Sequence, residues 1–232
     1  VAYMVGAPQY HQKGSTVGNF YDKYSIRSNI QARPKDWFKF GMNLGVNYDK
    51  TQSNGNWGSA GSTANYTSGG LSFLLNPLYP AIDPETGKEY EIKYSNNTYN
   101  PHYYMSKMPD LYHRYGFFGA FNFEIEPIKN LKIASRSGID GSFGINNYVK
   151  YPSYVGAVGN GSRFRSHTLQ YTASITNTIE YSFDIADEHH FTVLAGQEGV
   201  ANRYDYFQAY ANGGITDDRL TNLQNGSQSS FS

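Results

Sequence analysis

The sequence predicts an all-β chain that forms part of an antiparallel transmembrane β-barrel, about seven strands of a larger one. Three observations lead there. Apolar and polar residues alternate with period two over stretches longer than an ordinary soluble strand. The connections between these stretches are short and long in turn. Charged residues make up 16% and aromatic residues 16% of the 232, with 22 Tyr and 14 Phe, which argues against a disordered chain.

The clearest strand is WFKFGMNLGVNYD, residues 37–49. Phe38, Phe40, Met42, Leu44, Val46 and Tyr48 fall on one face. Lys39, Gly41, Asn43, Gly45, Asn47 and Asp49 fall on the other, a division that a strand makes and a helix does not. The stretch before it repeats the pattern, with Tyr24, Ile26, Ile30 and Ala32 opposite Lys23, Ser25, Arg27, Asn29 and Gln31. Pro34-Lys35-Asp36 reads as the turn between them. A second hairpin sets Phe117, Phe121, Phe123 and Ile125 before a turn at 127–130, and Leu131, Ile133 and Ile139 after it. Its polar face is less clean, because Phe118 falls among Asn122, Glu124 and Glu126. A third hairpin carries Leu169, Tyr171, Ala173, Ile175, Ile179, Tyr181 and Phe183 on one side. After a turn near 186–189, Phe191, Val193 and Ala195 continue that side. Residues 1–9 read as one more strand, and no segment has the period of an amphipathic helix.

Short connections fall at 34–36, 127–130 and 186–189, and long ones at roughly 10–20, 50–114, 142–165 and from 200 onward. Tight turns at one end and long loops at the other are the layout of an outer-membrane barrel, whose strands need about 9–11 residues to cross a tilted path through lipid. Hydrocarbon offers no hydrogen-bond partner, so a closed sheet must pair its own backbone and turn apolar side chains outward. Trp37, Phe38, Tyr24, Tyr48, Tyr181 and Phe183 lie near strand ends, where aromatic rings favour the membrane interface. Seven strands are fewer than the roughly eight with which barrels begin, so the remaining strands are expected from a longer chain. The same alternation also fits a soluble β-rich glycan-binding or adhesion module, or a passive porin.

The 19 basic and 19 acidic side chains cancel, which excludes electrostatic binding of nucleic acid as a main function. With no cysteine there is neither a disulfide framework nor a thiolate site. No apolar run is long enough for a transmembrane helix. The first residues, VAYMVGAPQY, lack an initiator Met and a signal peptide, and the last residues read as polar loop, so a piece of a longer polypeptide is expected.

The stretch FYDKYSIRSNIQARPKDWFKFGMNLGVNYDKTQSNG resembles the early barrel of SusC/RagA-like TonB-dependent outer-membrane transporters of Bacteroidetes. In that family an aromatic-x-R/K-Y-x-x-R-x-N strand runs into a short turn and then W-hydrophobic-K-hydrophobic-G-x-N. Tyr24, Arg27, Asn29, Trp37, Lys39, Gly41 and Asn43 stand at those positions. NLKIASRSGIDGSF and TNTIEYSFDIADEHHFTVLAGQE are similar to later stretches. The resemblance implies about 22 strands in the whole barrel, of which residues 1–232 are one segment without plug domain, signal peptide or closing strand. It further implies the outer membrane as location and active import of an oligosaccharide or peptide. The implied partners are a SusD-like surface lipoprotein, outer-membrane lipid, and the TonB-ExbB-ExbD complex acting through the plug.

No catalytic, cofactor or metal site is expected, since no G-x-S-x-G, P-loop or H-E-x-x-H occurs. Asp187, Glu188, His189 and His190 read as a solvated turn, and GAVGNGSRF as a loop. His102 and His113 are too isolated to form a ligand set. Asp83, Glu85 and Gly87 lack a calcium-loop pattern, and Asp217 and Asp218 are only a weak candidate pair. The loops are rich in aromatics, whose faces suit sugar rings or peptide backbones. The candidates for ligand or partner contact are Trp57, Tyr79, Tyr99, Tyr103, Tyr104, Tyr206 and Phe207. Packing of loops against one another is the competing role for each ring. The polar residues expected to face the barrel lumen are Lys23, Arg27, Asn29, Lys39, Asn43, Arg136 and Glu180.

Overall fold

The computed structural model describes residues 1–15, 18–52, 80–90, 100–154, 159–186 and 188–231. They form one antiparallel sheet of nine strands. The strands are β1 (Ala2–Gly6), β2 (Gln9–Lys13), β3 (Phe20–Lys35), β4 (Phe38–Gln52), β5 (Asp110–Ile128), β6 (Leu131–Lys150), β7 (Ser162–Ile185), β8 (His189–Asn212) and β9 (Gln228–Phe231). From β3 to β8 each strand pairs with the next in sequence, a meander. The all-β antiparallel expectation holds.

Several boundaries differ from the sequence reading. β1 and β2 are one strand in two pieces. Both pair with β3 in a single register, Gly6 opposite Arg27 and Gln9 opposite Tyr24. Pro8 breaks the ladder because it has no N–H to give, yet its carbonyl still accepts from the Ser25 N–H at 3.0 Å. The long loop expected at 10–20 therefore shrinks. The loop expected at 142–165 shrinks as well, because β6 runs to Lys150 and β7 starts at Ser162. The last loop begins only after Asn212.

The first hairpin turns at Asp36 and Trp37, not at Pro34. Between Ala32 and Lys35 the register shifts, so Arg33 and Pro34 together face the single residue Lys39. The second hairpin repeats the device, with Glu126 and Pro127 facing Lys132 before the turn at Lys129 and Asn130. A bulge leaves a residue unpaired, and a proline fits there without a lost hydrogen bond. Asn130 sits at φ 68°, a left-handed conformation that asparagine tolerates. A short helix that the sequence reading missed, α1 (Pro101–Lys107), precedes β5.

No second layer of described residues covers the apolar side of the sheet. Ile26, Val46, Ile175 and Val193 on that side are 57, 55, 44 and 59% exposed. A soluble sandwich would bury such a row. The buried hydrophobic cluster is small and lies at the loop end instead: Tyr103, Met108, Tyr148, Tyr154 and Phe164.

Candidate functional site

Residues directly opposite in the ladder share a face, so the register sorts every side chain. One row runs Tyr24, Tyr48, Tyr115, Phe143, Leu169 across β3 to β7. Its rings touch in series: Tyr24 and Tyr48 at 6.3 Å, Tyr48 and Tyr115 at 5.1 Å, Tyr115 and Phe143 at 6.5 Å between centroids. A second aromatic group lies at the turn end of the same face, with Tyr181 and Phe183 at 5.8 Å and Phe183 and Phe191 at 5.6 Å. Between the two lie Ile30, Met42, Leu44, Phe121, Ile133, Ile139 and Ile175. From Tyr48 to Phe38 is about 33 Å along the strand at ~3.3 Å per residue. Tilted by about 40°, that path gives an apolar band close to ~25 Å tall.

The opposite face is polar. Lys23, Arg27, Asn29, Lys39, Asn43, Arg136 and Glu180 all lie on it, as the register through β3, β4, β5, β6 and β7 requires. Its charges pair across strands. Lys39 Nζ donates to Glu124 Oε1 at 2.7 Å, Lys132 stands 3.8 Å from Glu180, and Arg114 stands 3.9 Å from Asp49. Asp49 is buried and accepts from Tyr21 Oη at 3.0 Å and Asn47 Nδ2 at 2.8 Å. A hollow of about 430 Å³ opens on this side, where Asp140, Gln170, Thr172, Asn202 and Tyr204 meet. Thr172 Oγ1 donates to Asn202 Oδ1 there at 2.7 Å. Amide and hydroxyl groups predominate, which makes this a hydrogen-bonding wall rather than a field of one sign.

At the loop end, chain segments far apart in sequence are tied together. Asn100 caps α1: its Oδ1 accepts from the His102 N–H at 3.0 Å, and its Nδ2 donates to Ala81 O at 2.5 Å. Pro101 follows at the first turn, where its missing N–H costs nothing. Tyr103 is buried and its hydroxyl donates to Ser153 O at 3.1 Å. Ser153 Oγ accepts from Lys107 Nζ at 2.8 Å and donates to Asp218 Oδ2 at 2.5 Å. Arg163, 2% exposed, donates through Nε to Leu220 O at 2.9 Å and through Nη1 to Lys150 O at 2.8 Å. The hydrogen bonds of Arg219 to both carboxylate oxygens of Asp217 hold that acid down at about 2. Backbone N–H donation from Glu85, with help from Thr86, likewise lowers the pKa of Asp83.

The aromatic candidates divide. Trp57, Tyr79 and Tyr99 lie outside the described residues. Tyr103 and Tyr104 pack on Tyr154, with centroids at 6.0 and 6.1 Å, so they build the loop core. Tyr206 and Phe207 are not in a loop; they are neighbours in β8 and therefore point to opposite faces. Tyr206 donates to Gln208 Oε1 at 2.7 Å on the polar side, and Phe207 stacks on Phe231 at 6.5 Å on the other. Asp217 and Asp218 are spoken for by Arg219 and Ser153, and among the described residues no metal-binding cluster forms. Sequence reading missed Asn100, Ser153 and Arg163. Asn100 before Pro101 is a helix-start signal; Ser153 and Arg163 have no local signature.

A single antiparallel sheet with one apolar face between aromatic rows, one polar face and its described loops gathered at one end is a segment of an antiparallel β-barrel wall. Solved structures it is similar to include chains of a peptide transporter. It matches the RagAB peptide transporter with a TM-score of 0.78 and 22% identity over 99% of this chain and 26% of that one. It matches the RagAB peptide importer in the "closed-closed" state at TM-score 0.78 and 21% identity, and in the "open-open" state at 0.75 and 22%. In both the chain is covered to 99% and spans 26%, about a quarter, of the other chain's length. No protein-family model and no curated protein matches the sequence.

Proposed function

We propose that this chain is part of the barrel wall and outer loops of a TonB-dependent, SusC/RagA-like importer in the outer membrane. The observation that carries the reading is the apolar face: no described residue covers it, and aromatic groups bound it at a separation close to a bilayer's apolar thickness. The likeness to a transporter barrel over 99% of the chain supports it, as do the motifs around Arg27, Asn29, Trp37 and Gly41. Peptide is the favoured cargo over oligosaccharide, because the similar structures are those of a peptide transporter and the polar wall offers amides and hydroxyls that suit a peptide backbone. The role is transport and not catalysis. A SusD-like lipoprotein would cover the loop end, and the TonB-ExbB-ExbD complex would act on a plug encoded elsewhere in the polypeptide.

The test uses the intact protein encoded by the full reading frame. It should require detergent for extraction and co-purify with a surface lipoprotein. A deletion strain should lose growth on oligopeptides as sole amino-acid source while keeping growth on free amino acids. Unchanged uptake of peptides with lost uptake of a glycan would assign the other cargo. Solubility without detergent would defeat the membrane reading and favour a glycan-binding or adhesion module.

A further inference from the structure

The apolar face has a hollow at its loop-side edge. Ala7 and Pro8, where the first strand breaks, carry little side chain, and beside them opens a groove of about 660 Å³. Ile26, Val46, Phe117 and Phe143 line it, and Tyr24 and Tyr48 stand at its rim. One ladder step toward the loops, the same face changes character. The register there runs His11, Asp22, Lys50, His113, Ile145, His167 across six strands. An apolar slot thus ends beneath a row that holds Lys50 and three histidines, with Asp22 and Ile145 among them.

Among the described residues, the ammonium in that row has a ring beside it but no carboxylate. The Asp22 carboxylate is taken by His11 Nδ1. His113 Nδ1 pairs with Tyr48 Oη at 2.7 Å, which leaves its Nε2 free of that contact. Lys50 Nζ lies 5.4 Å from the Phe20 ring centroid. No described carboxylate comes within salt-bridge distance of it. Lys50 and His113 are directly opposite in the ladder, so both reach one anion.

We infer that this groove holds an acyl chain of a phosphorylated membrane lipid, with the phosphate on Lys50 and His113. The inference rests on the membrane reading above and adds a specific site to it. Charge complementarity selects the occupant. A zwitterionic headgroup would bring its own cation to Lys50, whereas a phosphomonoester brings a net anion to an ammonium set at the interface. The slot below supplies the apolar half, in which methylenes of the acyl chain leave water.

Native mass spectrometry of the intact transporter tests this, with equal amounts of dioleoyl phosphatidic acid and dioleoyl phosphatidylcholine added to the detergent solution. The wild type is expected to retain one phosphatidic acid in preference to phosphatidylcholine. Lys50→Gln and His113→Gln should each weaken that retention about tenfold, the loss of one charge-assisted hydrogen bond. Ile26→Trp, which fills the groove without changing charge, should weaken it too. Equal retention of the two lipids by the wild type would overturn the site, and so would a Lys50→Gln protein that keeps the preference. Vesicle flotation of the same preparations separates the two readings. Protein that floats with vesicles but shows no preference defeats the site alone, whereas protein that stays in the aqueous fraction defeats the membrane reading.

Discussion

Phe118 lies across Gly45 of the neighbouring strand, so close that a β-carbon on Gly45 would stand 2.1 Å from the ring Cε1. The two residues are directly opposite in the ladder, on the polar face. The glycine is a seat for the ring, and this explains how a phenylalanine is accommodated among Asn, Ser and Thr: it lies flat on the wall. The same close approach recurs where Tyr112 covers Gly144, with the phenol oxygen 2.3 Å from the position a β-carbon would take.

Gly45→Ala should therefore destabilise the barrel by about 1–3 kcal/mol through overpacking. Phe118→Leu in the same protein should recover part of that loss. Heat-dependent mobility of the intact barrel on a gel reads the change. An unaltered melting point would show that the ring is free to lift.

Adjacent residues in β4 test which side meets lipid. Leu44→Arg puts a charge at mid-height of the apolar face and should cost about 2–4 kcal/mol. Asn43→Arg, one residue away and on the polar face, should stay within about 0.5 kcal/mol of the parent. Guanidinium titration of protein folded into phosphatidylcholine vesicles distinguishes them. Equal costs would mean that the two faces share one environment.

Arg163 holds the loop at 213–222 onto the strand ends through its bonds to Leu220 O and Lys150 O. Arg163→Ala should release about 2–4 kcal/mol of local stability, since charged donors to buried carbonyls are lost. Hydrogen exchange should accelerate in residues 148–154 and 213–222 while β4 and β5 stay protected. Arg163→Lys should rescue little, because an ammonium cannot span both carbonyls.

The Asp217–Arg219 turn has a defined pH signature. Its carboxyl is held at about 2 in the folded chain, below the ordinary value of about 3.9. The stabilisation is present above pH ~3.9 and is lost as pH falls through the folded value. Exchange of the Arg219 amide, which donates to Asp217 Oδ1 at 2.9 Å, should stay slowed down to about pH 3 after correction for intrinsic rates. Arg219→Gln should move the onset of fast exchange upward toward the ordinary carboxylate range.

The strand faces could be read in advance because alternation is local. Met42 and Asn43 declare their sides from sequence spacing alone, and the ladder from β3 to β8 keeps that assignment. The prolines were harder. Pro34 and Pro127 carry the chemistry of turn residues, yet each sits two residues before the turn in a bulge, where its missing N–H costs no ladder bond. The loop aromatics were harder still. Tyr103 and Tyr206 look alike in sequence, but one is buried in the loop core and the other stands in a strand.

By itself, then, the sequence determined a long-stranded antiparallel sheet with one oily and one wet side, because period-two alternation needs only neighbouring residues to express it. Tertiary structure alone decided that Ser153 meets Asp218, that Arg163 ties down Leu220, and that a groove opens below Lys50. Those contacts join segments dozens of residues apart. Their strength comes from desolvated hydrogen bonds and close packing that no short window of the chain encodes.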